Sequence, residues 1–166
     1  VASMANIGSA YLGAGVVSER NGGVHPSVVP SQVFECADGY VIVAAANDVQ
    51  FRKLCEAAGC PEIARDERFA TNSARVRHRA LVTPFLEAVF RARPVADWSE
   101  ALATAGVSCG PIHSIDQVFD DPQVRARGMV VEVPYAPAGT LKMTASPIRM
   151  SATPPDSARP PPLLGE

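Results

Sequence analysis

An α+β fold is expected for this chain, from three features of its order. Short apolar β-type runs pair around turn residues, and segments with helical spacing lie between the pairs. Nowhere do strand and helix alternate in the manner of a parallel sheet. The 166 residues suffice for one domain with a sizeable core, or for a small domain plus pieces of another.

The first segment, Val1 to Leu12, reads as a helix packed by small residues, with Met4, Ile7, Tyr11 and Leu12 on its apolar side and Gly13 and Gly15 ending it. A loop follows, Ser18 to Ser27, rich in residues that tolerate unusual backbone angles. Ser31–Ala37 and Tyr40–Ala46 are β-type runs around Asp38-Gly39, a hairpin signal. Asn47-Asp48 offers an N-cap for a helix through Ala58, with Phe51, Leu54 and Cys55 facing inward. The longest helix is expected from Ser73 to Ala92, capped by Thr71 or Asn72. Its stripe is Val76, Ala80, Leu81, Phe85, Leu86, Val89 and Phe90, and Pro84 inside it should kink or divide it. Ala96–Ala105 is a further helix carrying Trp98 and Leu102, followed by a brief strand at Val107–Cys109. Ser114 and Asp121 cap two short helices, Ile115–Phe119 and Pro122–Ala126. Met129–Val133 and Leu141–Ala145 read as strands joined through Pro137-Ala-Gly139. The prolines Pro154, Pro155, Pro160, Pro161 and Pro162 mark an extended tail.

The composition, 47% hydrophobic and 19% charged, fits a globular protein. A formal charge of −2 gives no broad attraction to nucleic acid or an anionic membrane. No run approaches the roughly 20 apolar residues of a bilayer span. The cysteines Cys36, Cys55, Cys60 and Cys109 lack Cys-x-x-Cys spacing and read as reduced cytosolic thiols packed as small hydrophobes, which places the protein in the cytoplasm. No Cys/His cluster has ligand spacing, so no metal is expected. Val1 has no initiator Met before it and the chain closes without a terminal element, so a fragment of a longer protein is expected.

A more specific pattern begins at Gly22-Gly-Val-His-Pro-Ser-Val-Val-Pro-Ser-Gln-Val-Phe34. It continues through Ala37-Asp-Gly-Tyr-Val-Ile-Val-Ala-Ala-Ala-Asn-Asp48 and Phe69-Ala-Thr-Asn72. It resumes at Gly106-Val-Ser-Cys-Gly-Pro-Ile112, Asp121-Pro-Gln-Val-Arg-Ala-Arg-Gly128, Ala145-Ser-Pro-Ile-Arg-Met-Ser151 and Pro162-Leu-Leu-Gly-Glu166. In this order the segments resemble family III (CaiB/BaiF-type) CoA-transferases, which also include acyl-CoA racemases. The resemblance implies a small α+β domain at 30–130. It assigns the helix and glycine loop of 1–29, and the return segment and tail of 131–166, to a large α/β domain. It implies an interlocked homodimer, acyl-CoA and a carboxylic acid acceptor as substrates, coenzyme A as the carried group, and no metal. The nucleophile it implies is an aspartate just before Val1, on the helix that Val1 continues. No catalytic residue is then expected within the chain, and the chain alone should be inactive. A non-catalytic dimerisation module is the reading from another functional class.

Within the chain, the resemblance makes Gly22, Gly23, Val24, His25, Pro26 and Ser27 the candidate substrate loop. Such a loop covers the reacting acyl group and needs mobility and close backbone approach. Two readings stay open for His25: a donor to a substrate oxygen or acid/base, and a loop histidine fixing its own backbone. Cys109 reads as a packing thiol, His113 as structural, and Asp38 and Asp48 as turn and cap residues. The run Arg75, Arg77, Arg79, with His78 inside it, reads as a solvated helix face.

Overall fold

The computed structural model describes residues 4–20, 22–136, 139–155, 159–163 and 165. The chain divides into two compact units, Val1–Ile112 and His113–Glu166.

The first unit opens with helix α1, Ala5–Ala14, which ends where Gly15 turns left-handed at φ 67° and donates its N–H to Tyr11 O at 2.8 Å. The expected start at Val1 lies outside the described residues. The expected apolar side is not buried: Met4, Ile7, Tyr11 and Leu12 are all exposed, because no other described element packs over them.

The sheet of this unit is antiparallel in the order β1-β2-β3, with β1 at Ser31–Glu35, β2 at Tyr40–Ala44 and β3 at Ser108–Pro111. The β1–β2 hairpin pairs Glu35 with Tyr40, and Cys36 N–H closes its loop on Gly39 O at 2.8 Å. Asp38 does more than turn the chain. Its Oδ1 accepts the Val95 N–H at 2.8 Å, capping the helix that starts there. Alternation puts Phe34 of β1 and Val41 and Val43 of β2 on the inward face.

Helices close over that face. In α2, Asp48–Ala57, the predicted residues Phe51, Leu54 and Cys55 are buried. Asn47 is its cap, its Oδ1 accepting the Gln50 N–H at 2.9 Å, so Asp48 is free for another role. After a 3-10 turn at Ile63–Arg65, the long helix comes in two pieces, α3 at Asn72–Arg77 and α4 at Arg79–Phe90. Thr71 caps the first piece as expected. The division falls at His78, where φ is −106° and ψ 25°, and not at Pro84, which α4 contains. Breaking the helix there shifts the phase of the second piece. Val82, Leu86 and Phe90 turn inward, and Leu81, expected in the stripe, is 53% exposed. Helix α5, Val95–Ala105, buries Trp98 and Leu102 and ends at Gly106. Phe34 stacks on Phe90 at 4.4 Å between centroids, Phe90 meets Trp98 at 4.5 Å, and the Trp98 indole N–H donates to Phe90 O at 2.8 Å. This chain of rings joins strand to helices at the centre of the core.

The second unit holds α6, Ile115–Asp120, and α7, Pro122–Ala126, followed by the hairpin of β4, Val130–Tyr135, and β5, Gly139–Thr144. Ser114 starts α6 with a capping box completed by Gln117, and Asp121 caps α7 through the N–H groups of Gln123 and Val124. Pro137 and Ala138 of the expected connection lie outside the described residues. The tail prolines that are described have no regular structure. No described helix is long and apolar enough to cross a membrane.

Candidate functional site

The Gly22–Ser27 loop is free at one end and fastened at the other. Gly22 sits at φ 59°, a conformation that L side chains adopt with strain, and a Cβ on either Gly22 or Gly23 would meet nothing within 4 Å. From His25 onward the backbone is tied down. His25 N–H donates to Ser31 O at 2.9 Å. The Arg79 guanidinium donates to the carbonyls of His25 at 2.8 Å and Pro26 at 2.9 Å. Asn72 takes both sides of the next turn: its Nδ2 donates to Ser27 O at 2.8 Å and its Oδ1 accepts from Val29 N–H at 3.0 Å.

Beneath these lies Arg75, expected on a solvated face and found fully buried. Its Nε donates to Val29 O at 2.6 Å, one terminal nitrogen to Phe69 O at 2.9 Å, and the other to Asp48 Oδ1 at 3.0 Å. The guanidinium carbon also stands 4.2 Å from the centre of the Phe51 ring. Burial presses its pKa down and the Asp48 carboxylate opposes that. Asp48, read as a cap, instead accepts from Arg75 and from the Asn72 N–H at 2.7 Å, joining the starts of α2 and α3. Of the arginine run, only Arg77 is exposed; Arg79 is half-buried under the loop.

His25 shows how its own loop is held. Its Nδ1 accepts the Ser27 N–H at 3.2 Å, with Ser27 Oγ at 3.5 Å. The proton of the neutral ring therefore resides on Nε2, which has no partner among the described residues. The backbone-fixing reading is met at Nδ1, and a donor remains at Nε2. His78 is half-buried, with Nδ1 3.0 Å from Ala74 O, so it does not belong to a solvated face. His113 is exposed.

The thiols behave as packing groups. Cys36, Cys55 and Cys60 are buried and unpaired. Cys109 points its Sγ at Ser99 O, 3.8 Å away, and burial raises its pKa, the reverse of what a nucleophile needs. Burial, with Cys60 beside it, pushes the Cys55 thiol from 9.0 up to about 12. The native thiol thus holds its proton more tightly than the unfolded one. Its contribution to stability is full below pH 9.0 and is lost as pH rises toward about 12. Alkaline denaturation is expected to set in above pH 9.0, with a shallower slope in Cys55→Ala, measured by urea unfolding across that range.

The residues missed from sequence are Asn72 and Arg75, three apart on α3, and Arg79, which opens α4 just past the break at His78. That spacing, together with an upstream loop whose carbonyls need donors, was the available signal.

The chain is 41% identical over 165 residues to a succinate–glutarate CoA-transferase of Agrobacterium fabrum, matching 99% of this chain and 41% of the relative. It is 34% identical over 166 residues to the human succinyl-CoA:glutarate CoA-transferase, matching 100% of this chain and 38% of that protein. Among solved structures, a CaiB/BaiF family protein from Brucella suis superposes with a TM-score of 0.81 at 40% identity, over 98% of this chain and 42% of that one. The chain thus spans about two fifths of the length of these relatives. The family model described as CoA-transferase family III matches residues 1–166, and the chain belongs to that family.

Proposed function

We propose that the protein containing this chain moves CoA between carboxylic acids through an aspartyl-CoA thioester on an aspartate upstream of Val1. The carboxylate attacks the acyl-CoA carbonyl and expels the CoA thiolate, leaving an acyl–aspartyl anhydride. The thiolate then attacks the aspartyl carbonyl, releasing the donor acid. The acceptor carboxylate repeats both steps in reverse, so overall one thioester is exchanged for another of like energy. The relatives' names point to short dicarboxylic acids as donor and acceptor.

The observation that carries this reading is the loop: open at Gly22-Gly23, bolted by Asn72 and Arg79 from Ser27 back to His25, with His25 Nε2–H unoccupied. A loop of this kind can close over an anhydride and keep water from it while His25 donates to the acyl oxygen. On this reading 1–29 and 131–166 belong to a large domain and 30–130 to a small one, and two subunits assemble as a homodimer in the cytoplasm. The acyl-CoA racemase alternative shares the scaffold and moves only an α-proton.

The test uses the full-length protein with succinyl-CoA and isotope-labelled glutarate. Labelled glutaryl-CoA should appear while total thioester stays constant. Solvent deuterium entering the α-carbon of the acyl-CoA, with no glutaryl-CoA formed, would overturn the transfer reading in favour of the racemase.

A further inference from the structure

A cleft of about 490 Å³ opens beside the substrate loop, walled by Val24 of the loop, Gln32 of β1, Arg77 of α3, and Arg79, Thr83 and Pro84 of α4. The volume falls in the range of small-molecule sites. Two polar groups stand in its wall. Gln32 sits on the inward face of β1 beside Phe34, only 5% exposed. Thr83 Oγ1 is buried and has no partner among the described residues. A threonine in a helix ordinarily satisfies its hydroxyl on the carbonyl four residues back, and this one does not. Buried polar groups are nearly always paired, so the unpaired Thr83 hydroxyl at this cleft, with the Gln32 carboxamide beside it on the same wall, points to an occupant that pairs it.

The charge of that occupant follows from the rest of the wall. Among the described residues no Asp or Glu lines the cleft, whereas two arginines do. Arg79 is committed to the loop carbonyls, but Arg77 is exposed and has no ion-pair partner among the described residues. A carboxamide N–H, a hydroxyl and a planar guanidinium together form a donor set suited to one carboxylate. Val24 and Pro84 supply apolar wall for a short methylene chain.

We propose that this cleft binds the non-reacting carboxylate of a dicarboxylic acid substrate, with Gln32, Thr83 and Arg77 as its donors. The assignment rests on the CoA-transfer reading above and adds the determinant that separates diacids from monoacids. Because Arg79 carries the loop carbonyls and also walls the cleft, an acid seated there touches the element that holds His25 in place.

The experiment is calorimetric titration of the full-length protein with glutarate, with butyrate as the monoacid and CoA as the phosphate-bearing control. Thr83→Val and Arg77→Gln are each expected to weaken glutarate binding about tenfold, the size of one lost hydrogen bond to a charged group. Butyrate and CoA should bind as in the wild type. Thr83→Val should melt no lower than the wild type, since it removes a hydroxyl with no partner. The proposal is overturned if the wild type binds no glutarate, if both folded variants bind it unchanged, or if CoA weakens in place of glutarate. Binding is read without turnover. A wild type that binds glutarate at this cleft yet forms no glutaryl-CoA contradicts only the transferase reading.

Discussion

Replacing Arg75 by alanine is expected to destabilise the protein by about 3–5 kcal/mol, the usual loss when one member of a buried charged network is removed. The damage has identifiable parts. Val29 O and Phe69 O lose their donors in a site that water does not reach, and the guanidinium no longer fills the space against Phe51. Asp48 fares better, because its carboxylate is 45% exposed and can turn to solvent. Arg75→Lys keeps the charge but places one ammonium where three donors diverge, so roughly half the loss should remain. Denaturant unfolding of both variants checks this, and a loss below about 1 kcal/mol in Arg75→Ala would show that the network is not stabilising. The effect should also reach the loop, since Arg75 holds Val29 and Asn72 holds Ser27 on adjoining turns.

Replacing the aspartate proposed upstream of Val1 by alanine is expected to lower CoA exchange by roughly 10³-fold or more, as loss of a covalent nucleophile does elsewhere. Only a carboxylate can form the mixed anhydride of the proposed mechanism. Asp48, whose carboxylate lies under the loop, is bound to Arg75 and Asn72. A variant that folds, binds CoA and still exchanges at the wild-type rate would place the nucleophile on another residue.

Local signals in the sequence carried most of the fold. Apolar spacing located α2 and α5 and their buried residues, and Ser114 and Asp121 located the two short helices of the second unit. Alternation around Asp38-Gly39 located the first hairpin. The failures have a common cause, which is that long-range partners are invisible to local pattern. Arg75 looked like a surface residue because arginine is almost never fully buried unless paired, and its partners at Val29, Phe69 and Asp48 come from three other segments. Leu81 reads as inward when the helix is divided at Pro84, and the break at His78 instead turns it out. The apolar side of α1 was legible, but nothing described covers it. The family was legible from ordered motifs; the bolts under its loop were not, since they depend on side chains that read individually as solvated.

In the proposed mechanism CoA becomes covalently attached to the full-length protein during transfer. Intact-mass measurement of the full-length protein after mixing with succinyl-CoA tests it most directly. An added mass equal to CoA in thioester linkage is expected, discharged by glutarate and absent from the aspartate variant. Rapid CoA transfer by a protein that never acquires that mass would contradict it.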